Sequence, residues 1–198
     1  MGENFEVNKT KKNLSAFIYE WLDVVCVAIV CVVLIFGFVF RVATIDGASM
    51  NNTLIDGEKV FVNNAFYSPK QGDIVIISRN YKNDTDIDLT DTSTTPIIKR
   101  VIATEGQIVD IKDGSVYVDG KKIKEDYVLG ETFVGTSVSF PLTVQKKCVF
   151  VLGDNRKVSL DSRSANIGNY GNGQIHQNYI LGKATFRIYP LNKVGGLG

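Results

Sequence analysis

Histidine, cysteine and proline are scarce in this 198-residue chain, at one, three and four residues. The single histidine, His176, lies in the polar, glycine- and asparagine-rich segment NIGNYGNGQIHQN. A Ser–His–Asp hydrolase would have to use it. Nothing around it looks like a site, so it reads as a surface-loop residue. Cys26 and Cys31 fall inside a long apolar run, which leaves Cys148 alone in the rest of the chain. An internal disulfide there is excluded. That part must be held by a hydrophobic core, and its length allows one. Surplus charge is also missing: 22 basic against 21 acidic residues leave +1. Nucleic-acid binding needs a basic surplus gathered on one face, so no nucleic-acid partner is expected. There is no internal repeat and no low-complexity tract. No metal site and no cofactor are expected.

What the chain does have is one unbroken apolar stretch. Val24 to Phe40 reads VVCVAIVCVVLIFGFVF, without a charge. A membrane span needs roughly 17 to 25 such residues, and this run meets the lower bound. Trp21 suits the headgroup level, and Asp23 can lie at the interface. The run is apolar all round, whereas a core helix of a soluble domain shows one polar face. It is longer than the core of a cleavable signal peptide, and no A-x-A-like site comes after it. The reading is therefore an uncleaved transmembrane anchor over 21–40, preceded by a loose polar tail over 1–20. Lys9, Lys11 and Lys12 before it outnumber Arg41 and Lys59 after it. This bias places the N-terminus in the cytoplasm and residues 41–198 outside it.

Helical periodicity then disappears. Short β-branched runs at 42–45, 59–62, 73–78, 97–103, 107–112, 115–119, 148–153 and 179–189 read as strands. IKDG and YVDG carry Asp-Gly hairpin signals. The expectation is a mostly β domain, a barrel or paired sheets. The Asp- and Thr-rich segment 80–96 reads as an exposed loop. Residues 124–147 lack alternation, and 107–147 is a possible inserted lobe.

Amide hydrolysis needs a nucleophile, a base and an oxyanion stabiliser. A Ser–Lys pair is the other option, although taken alone Lys99 also reads as a lysine whose head reaches water and Ser49 as a turn serine. Alternation along 97–103 puts Ile97, Lys99, Val101 and Ala103 on one face, with Lys99 as the lone polar side chain. Burial lowers a lysine's pKa and frees it to act as a base. Arg100 points the other way and keeps its proton. Ser49 stands in IDGASMNNTL, nine residues beyond the apolar run. Gly47 and Ala48 leave room for a substrate backbone. The segment GDNRKVSLDSR (153–163) gathers Asp154, Asn155, Arg156, Asp161 and Arg163 around two serines. Paired Asp and Arg of this kind fix geometry well.

Taken together and in order, the anchor, GASMNNTL, GDIV (72–75), KRVIATEG (99–106) and GDNRKVSLDSR resemble type I signal peptidases of the bacterial, Gram-positive-like Ser–Lys form. The resemblance covers the anchor and the soluble domain. It implies a signal-peptidase-like β catalytic domain and a serine endopeptidase. It implies Ser49 as nucleophile and Lys99 as general base. Ser159 matches the serine that hydrogen-bonds and orients the lysine, and Asp154, Asp161 and Arg163 match its support. The Ser49 backbone N–H, with Gly47, Ala48 and Met50 beside it, would serve the oxyanion and the substrate. The implied partners are the lipid membrane and exported preproteins with small residues at the first and third positions before the cut. Their chain would lie extended beside 42–48 and 97–103. Three positions depart from the pattern. Gly47 replaces a serine found in some relatives, Asn52 replaces a proline, and Gln107 replaces an aspartate.

Two other readings use the same residues. One is a dedicated or non-catalytic homologue that binds surface-protein precursors, such as pilus subunits, and assists their assembly. Asn52 favours it, whereas Ser49, Lys99 and Ser159 weigh against it. The other is a Ser–Lys autoprotease of the repressor type. The anchor and the lack of a DNA-binding helix pair weigh against that.

Overall fold

The computed structural model of the chain describes residues 3–38, 40–64, 67–79, 95–135, 137–168 and 172–197. Nearly all of the expected 80–96 loop lies outside them. The chain divides into two compact units, 1–41 and 42–198.

The first unit is a single helix, α1, Glu3–Phe38. It runs through the stretch expected to be a loose tail. The reason is local: no glycine or proline falls between Glu3 and Phe36, and Lys, Glu, Leu and Ala are good helix formers. Its window Ala16–Val33 has a mean hydropathy of 2.2, and none of it is buried. Eighteen residues at 1.5 Å each give about 27 Å, close to a bilayer's hydrocarbon thickness. By length and composition this helix can cross a membrane.

The second unit is built from β1 (Phe40–Thr44), β2 (Lys59–Asn63), β3 (Ile74–Ile77), β4 (Ile97–Thr104), β5 (Ile108–Lys112), β6 (Ser115–Val118), β7 (Lys121–Lys122), β8 (Leu142–Thr143), β9 (Cys148–Leu152), β10 (Ile175–His176), β11 (Ile180–Tyr189) and β12 (Gly195–Gly196). The larger sheet runs β1-β2-β11-β3-β4-β9-β10, with β12 on β11. The smaller runs β7-β6-β5-β8 and occupies the stretch expected as an inserted lobe. Both Asp-Gly pairs make their turns. Asp113 and Gly114 have φ of 49° and 70°, and Asp119 and Gly120 have 52° and 76°. Positive φ at both central residues is the type I′ hairpin condition.

Strands β3 and β9 are buried along their whole length. That requires cover on both faces of the larger sheet. On one face, Val109, Ile111, Val116 and Val118 of the smaller sheet pack with Ile102, Ala103, Phe150 and Leu152. On the other, Val75, Ile77, Val101, Val149 and Val151 pack with Ile167 and Ile175. A third cluster joins Ile45, Met50 and Leu54 to Val60, Val62, Ile74, Ile76 and Ile98. Strand β4 crosses between environments. Its pairing with β9 shifts register between Val101 and Ala103. Ala103 therefore packs with Ile102, not on the Lys99 face where strict alternation would place it. One extra residue in a ladder turns the later side chains of that strand to the other side.

Candidate active site

Ser49 sits in the loop joining β1 to β2. The loop is closed at its ends, where the Ile45 N–H donates to the Glu58 carbonyl at 2.8 Å and the Gly57 N–H donates to the Ile45 carbonyl at 3.0 Å. Its middle is plugged into the core by Met50, 1% exposed, and Leu54, fully buried. The sequence pattern puts Met50 beside the substrate. Its side chain is instead a core anchor for the turn that carries Ser49. Gly47 and Ala48 are exposed, as a substrate-facing role requires. The Gly47 N–H is held by Asp56 Oδ1 at 2.8 Å.

Lys99 extends from β4, opposite Val75 of β3. It is 3% exposed. Its Nζ donates to Ser49 Oγ at 2.8 Å and to the Ile98 carbonyl at 2.9 Å. Burial is the main force on its proton and lowers its pKa to about 8. The carboxylates of Asp161 and Asp154 pull the other way, and the Arg79 cation adds to the lowering. Nothing in the sequence singles out Arg79, just past the end of β3, because only the fold brings it near Lys99.

The two carboxylates are each committed to an arginine. Asp154 is gripped by Arg100, Nε to Oδ1 at 2.9 Å and Nη2 to Oδ2 at 2.6 Å. The Arg100 guanidinium lies 3.8 Å from the Tyr127 ring centroid. Asp161 is gripped by Arg163, Nε to Oδ1 at 2.8 Å and Nη2 to Oδ2 at 2.9 Å. Asp161 Oδ2 also accepts from the Gly153 N–H at 3.1 Å. Arg163 further holds the Arg156 carbonyl at 2.9 Å. Bidentate pairs fix both partners in orientation. Asp154, Asp161 and Arg163 are thus all held in bidentate pairs, with Arg100 reaching Asp154 from the opposite face of β4.

Asn155 ties this loop to the Ser49 turn. Its backbone N–H donates to the Ser49 carbonyl at 3.0 Å, and its Nδ2 donates to the Ala48 carbonyl at 3.1 Å. The same residue forms an isolated parallel bridge with Leu129. On the far side of the turn, Thr53 Oγ1 donates to Asp154 Oδ2. Neither Asn155 nor Thr53 carries chemistry by residue type, so only their places in the two motifs mark them.

Ser159 is a correction. The resemblance implied a hydrogen bond to Lys99. Its Oγ is buried and has no hydrogen-bond partner among the described residues. The hydroxyl lies instead against Gly153, where a Cβ would fall 2.2 Å from Ser159 Oγ and 2.6 Å from the Ser49 carbonyl oxygen. Asn52 stands at a φ of 82°. The Thr53 N–H donates to the Met50 carbonyl at 3.0 Å, which makes Asn52 the third residue of a four-residue turn. A positive φ there is the type II condition, which favours Gly or Asn. His176 lies in β10, paired with Cys148 at the end of β9 remote from Gly153, and its Nδ1 accepts from the Asn178 N–H. Among the described residues, no three His, Cys, Asp or Glu side chains come together as a metal would require.

The family model for signal peptidase, peptidase S26, matches residues 18–189. Signal peptidase I T of Bacillus subtilis (strain 168) is 34% identical over 97% of this chain and 96% of its own length. A signal peptidase I of Bacillus amyloliquefaciens is 35% identical over 93% and 92%. Signal peptidase IB of Staphylococcus aureus (strain COL) is 34% identical over 89% and 92%. The crystal structure of a signal peptidase I from Enterococcus faecalis V583 aligns with 60% of this chain and 98% of that one, at 26% identity and a TM-score of 0.43.

Proposed function

The chain belongs to the signal peptidase family, peptidase S26, and from that premise we propose that it cuts signal peptides from exported preproteins with a Ser49–Lys99 dyad. The observation that carries the dyad is the 2.8 Å contact from a buried Lys99 Nζ to Ser49 Oγ. A base must be within hydrogen-bond reach and able to lose its proton near the working pH. A lysine lowered to about 8 meets the second condition.

In the proposed cycle, neutral Lys99 takes the Ser49 proton as Oγ attacks the scissile carbonyl. The Ser49 backbone N–H donates to the developing oxyanion. The Lys99 ammonium then protonates the leaving amine, which departs as the new N-terminus of the mature chain. A water, deprotonated by the same lysine, releases the signal peptide from Ser49. Asp154, Asp161, Arg163 and Arg100 hold the loops, and Asn155 fixes the Ser49 backbone. Ser159 packs its hydroxyl against Gly153 beside this centre. The α1 helix is the anchor. We place its N-terminus in the cytoplasm and residues 41–198 outside, in line with the lysine bias.

The test uses the full chain in detergent with a signal-peptide-bearing precursor, reading product mass. Wild type yields one cut after the signal peptide. Ser49→Ala and Lys99→Ala each yield none while keeping the fold. Full cleavage by either variant rejects the dyad.

A further inference from the structure

Beside the dyad lies a groove of about 600 Å³ that the catalytic cycle above does not use. Phe133, Val134, Lys157, Ser159, Asp161 and Arg163 line it. Its inner wall is shared with the catalytic centre. The Ser159 hydroxyl and the Ser49 carbonyl both lie within 2.6 Å of the point where a Gly153 Cβ would stand. Loop 153–163, which forms one wall of the groove, is therefore packed against the Ser49 turn, and the groove's size suits a few residues of extended chain.

Its chemistry is uneven. Phe133 and Val134 are 63% and 50% exposed and give one apolar flank. Arg163 is spent on Asp161 and on the Arg156 carbonyl. Lys157 is exposed, and among the described residues it makes no ion pair or hydrogen bond. Its stem is nonetheless confined. It lies over Gly130, where a Cβ would fall 2.8 Å from Lys157 Cε. A cation on a restrained stem loses less freedom on meeting an anion than one on a loose stem.

We propose that this groove receives the polypeptide just after the scissile bond, and that Lys157 makes it selective for a carboxylate side chain there. The inference rests on the protease reading above. On that reading, residues before the cut run beside 42–48 and 97–103. The chain must then leave Ser49 past the other wall of the cleft, which is loop 153–163. The groove lies along that loop. Residues after the cut are thus sorted by charge, with the apolar flank taking an uncharged neighbour.

The test compares peptides identical up to the cut that carry Glu, Gln or Lys at the second, third or fourth residue after it. Full-length wild type in detergent is expected to prefer Glu over Lys at one of these positions by about fivefold in kcat/KM at low salt, the size an exposed charge supplies. The preference shrinks towards parity at high salt, where exposed charges are screened. Lys157→Glu reverses the preference and Lys157→Ala removes it, both at wild-type thermal stability, since the ammonium is exposed. A wild-type ratio near one at all three positions overturns the proposal, as does a Glu preference that survives in Lys157→Glu. If wild type cleaves no peptide at all, the protease reading fails and this inference falls with it.

Discussion

Gly153 and Ser159 are packed so closely that a single added methyl would place a Cβ 2.2 Å from the Ser159 hydroxyl. The same methyl would meet the Ser49 carbonyl, so the glycine sets the spacing between the loop and the nucleophile turn. Gly153→Ala is expected to cost about 1–3 kcal/mol by overpacking. It should lower kcat by on the order of a hundredfold, because a displacement of about 1 Å at a reacting group has that effect. Thermal unfolding and steady-state kinetics on the same sample check both. Wild-type activity in this variant would show that the contact is not constraining.

The rate should track one deprotonation. With Lys99 at about 8, log kcat/KM rises with pH up to about 8 and then levels. Arg163→Gln leaves the Asp161 carboxylate without its cation. That carboxylate already pulls the Lys99 pKa upwards. The midpoint should move to higher pH by about one pH unit. A profile that keeps its midpoint while losing amplitude would mean that Arg163 acts on packing alone.

Lys99 also sets a stability cost. Its folded pKa, about 8, lies below its ordinary 10.5. Below pH 8 both states hold the proton, and the fold carries the full cost of a buried ammonium. Between 8 and 10.5 the unfolded chain binds more protons than the folded one, so stability rises with pH. Lys99→Met keeps the stem and removes the charge. It should abolish cleavage and stabilise the fold at pH 7 by up to about 3 kcal/mol, a gain that vanishes above the ordinary lysine pKa. Denaturant melts at pH 7 and at pH 10.5 give the comparison.

Much of this is legible in the sequence. The strands are, because β-branched runs alternate and Asp-Gly pairs punctuate them. The meeting of Ser49 with Lys99 is, because two weak signals stand in the right order with a specific third motif. The exceptions have physical causes. The bulge in β4 is invisible because residues on both sides of it are apolar, so strict alternation puts Ala103 on the wrong face. Met50 flanks the nucleophile in sequence, yet the turn points its side chain into the core. The helix enters the polar tail because backbone propensity does not need an apolar face. Arg79 matters through its nearness to Lys99 from a segment far away in the chain, and no local pattern encodes that.

Asn52 has a sharper consequence than its place in the motif indicates. Proline holds φ near −65° and cannot adopt the 82° seen here. Placing a proline here by Asn52→Pro should therefore impair this chain. We expect about 1–3 kcal/mol of lost stability, the cost of an incompatible backbone. Cleavage should fall at least tenfold as the Ser49 turn shifts. Asn52→Gly should remain near wild type in both. Higher activity in Asn52→Pro would mean that the turn readily takes the other form.

Asn155 joins three stretches of chain that are distant in sequence. Its amide donates to Ser49, the Leu129 amide donates to the Asp154 carbonyl at 2.8 Å, and the Arg156 amide donates to the Leu129 carbonyl at 3.1 Å. None of these hydrogens can be exposed alone, because opening one parts the strap that holds the others. Hydrogen exchange at the three amides should slow and quicken together, at the rate of a shared local opening. The stretch that carries Leu129, between β7 and β8, thereby helps to set how long the Ser49 turn stays in place.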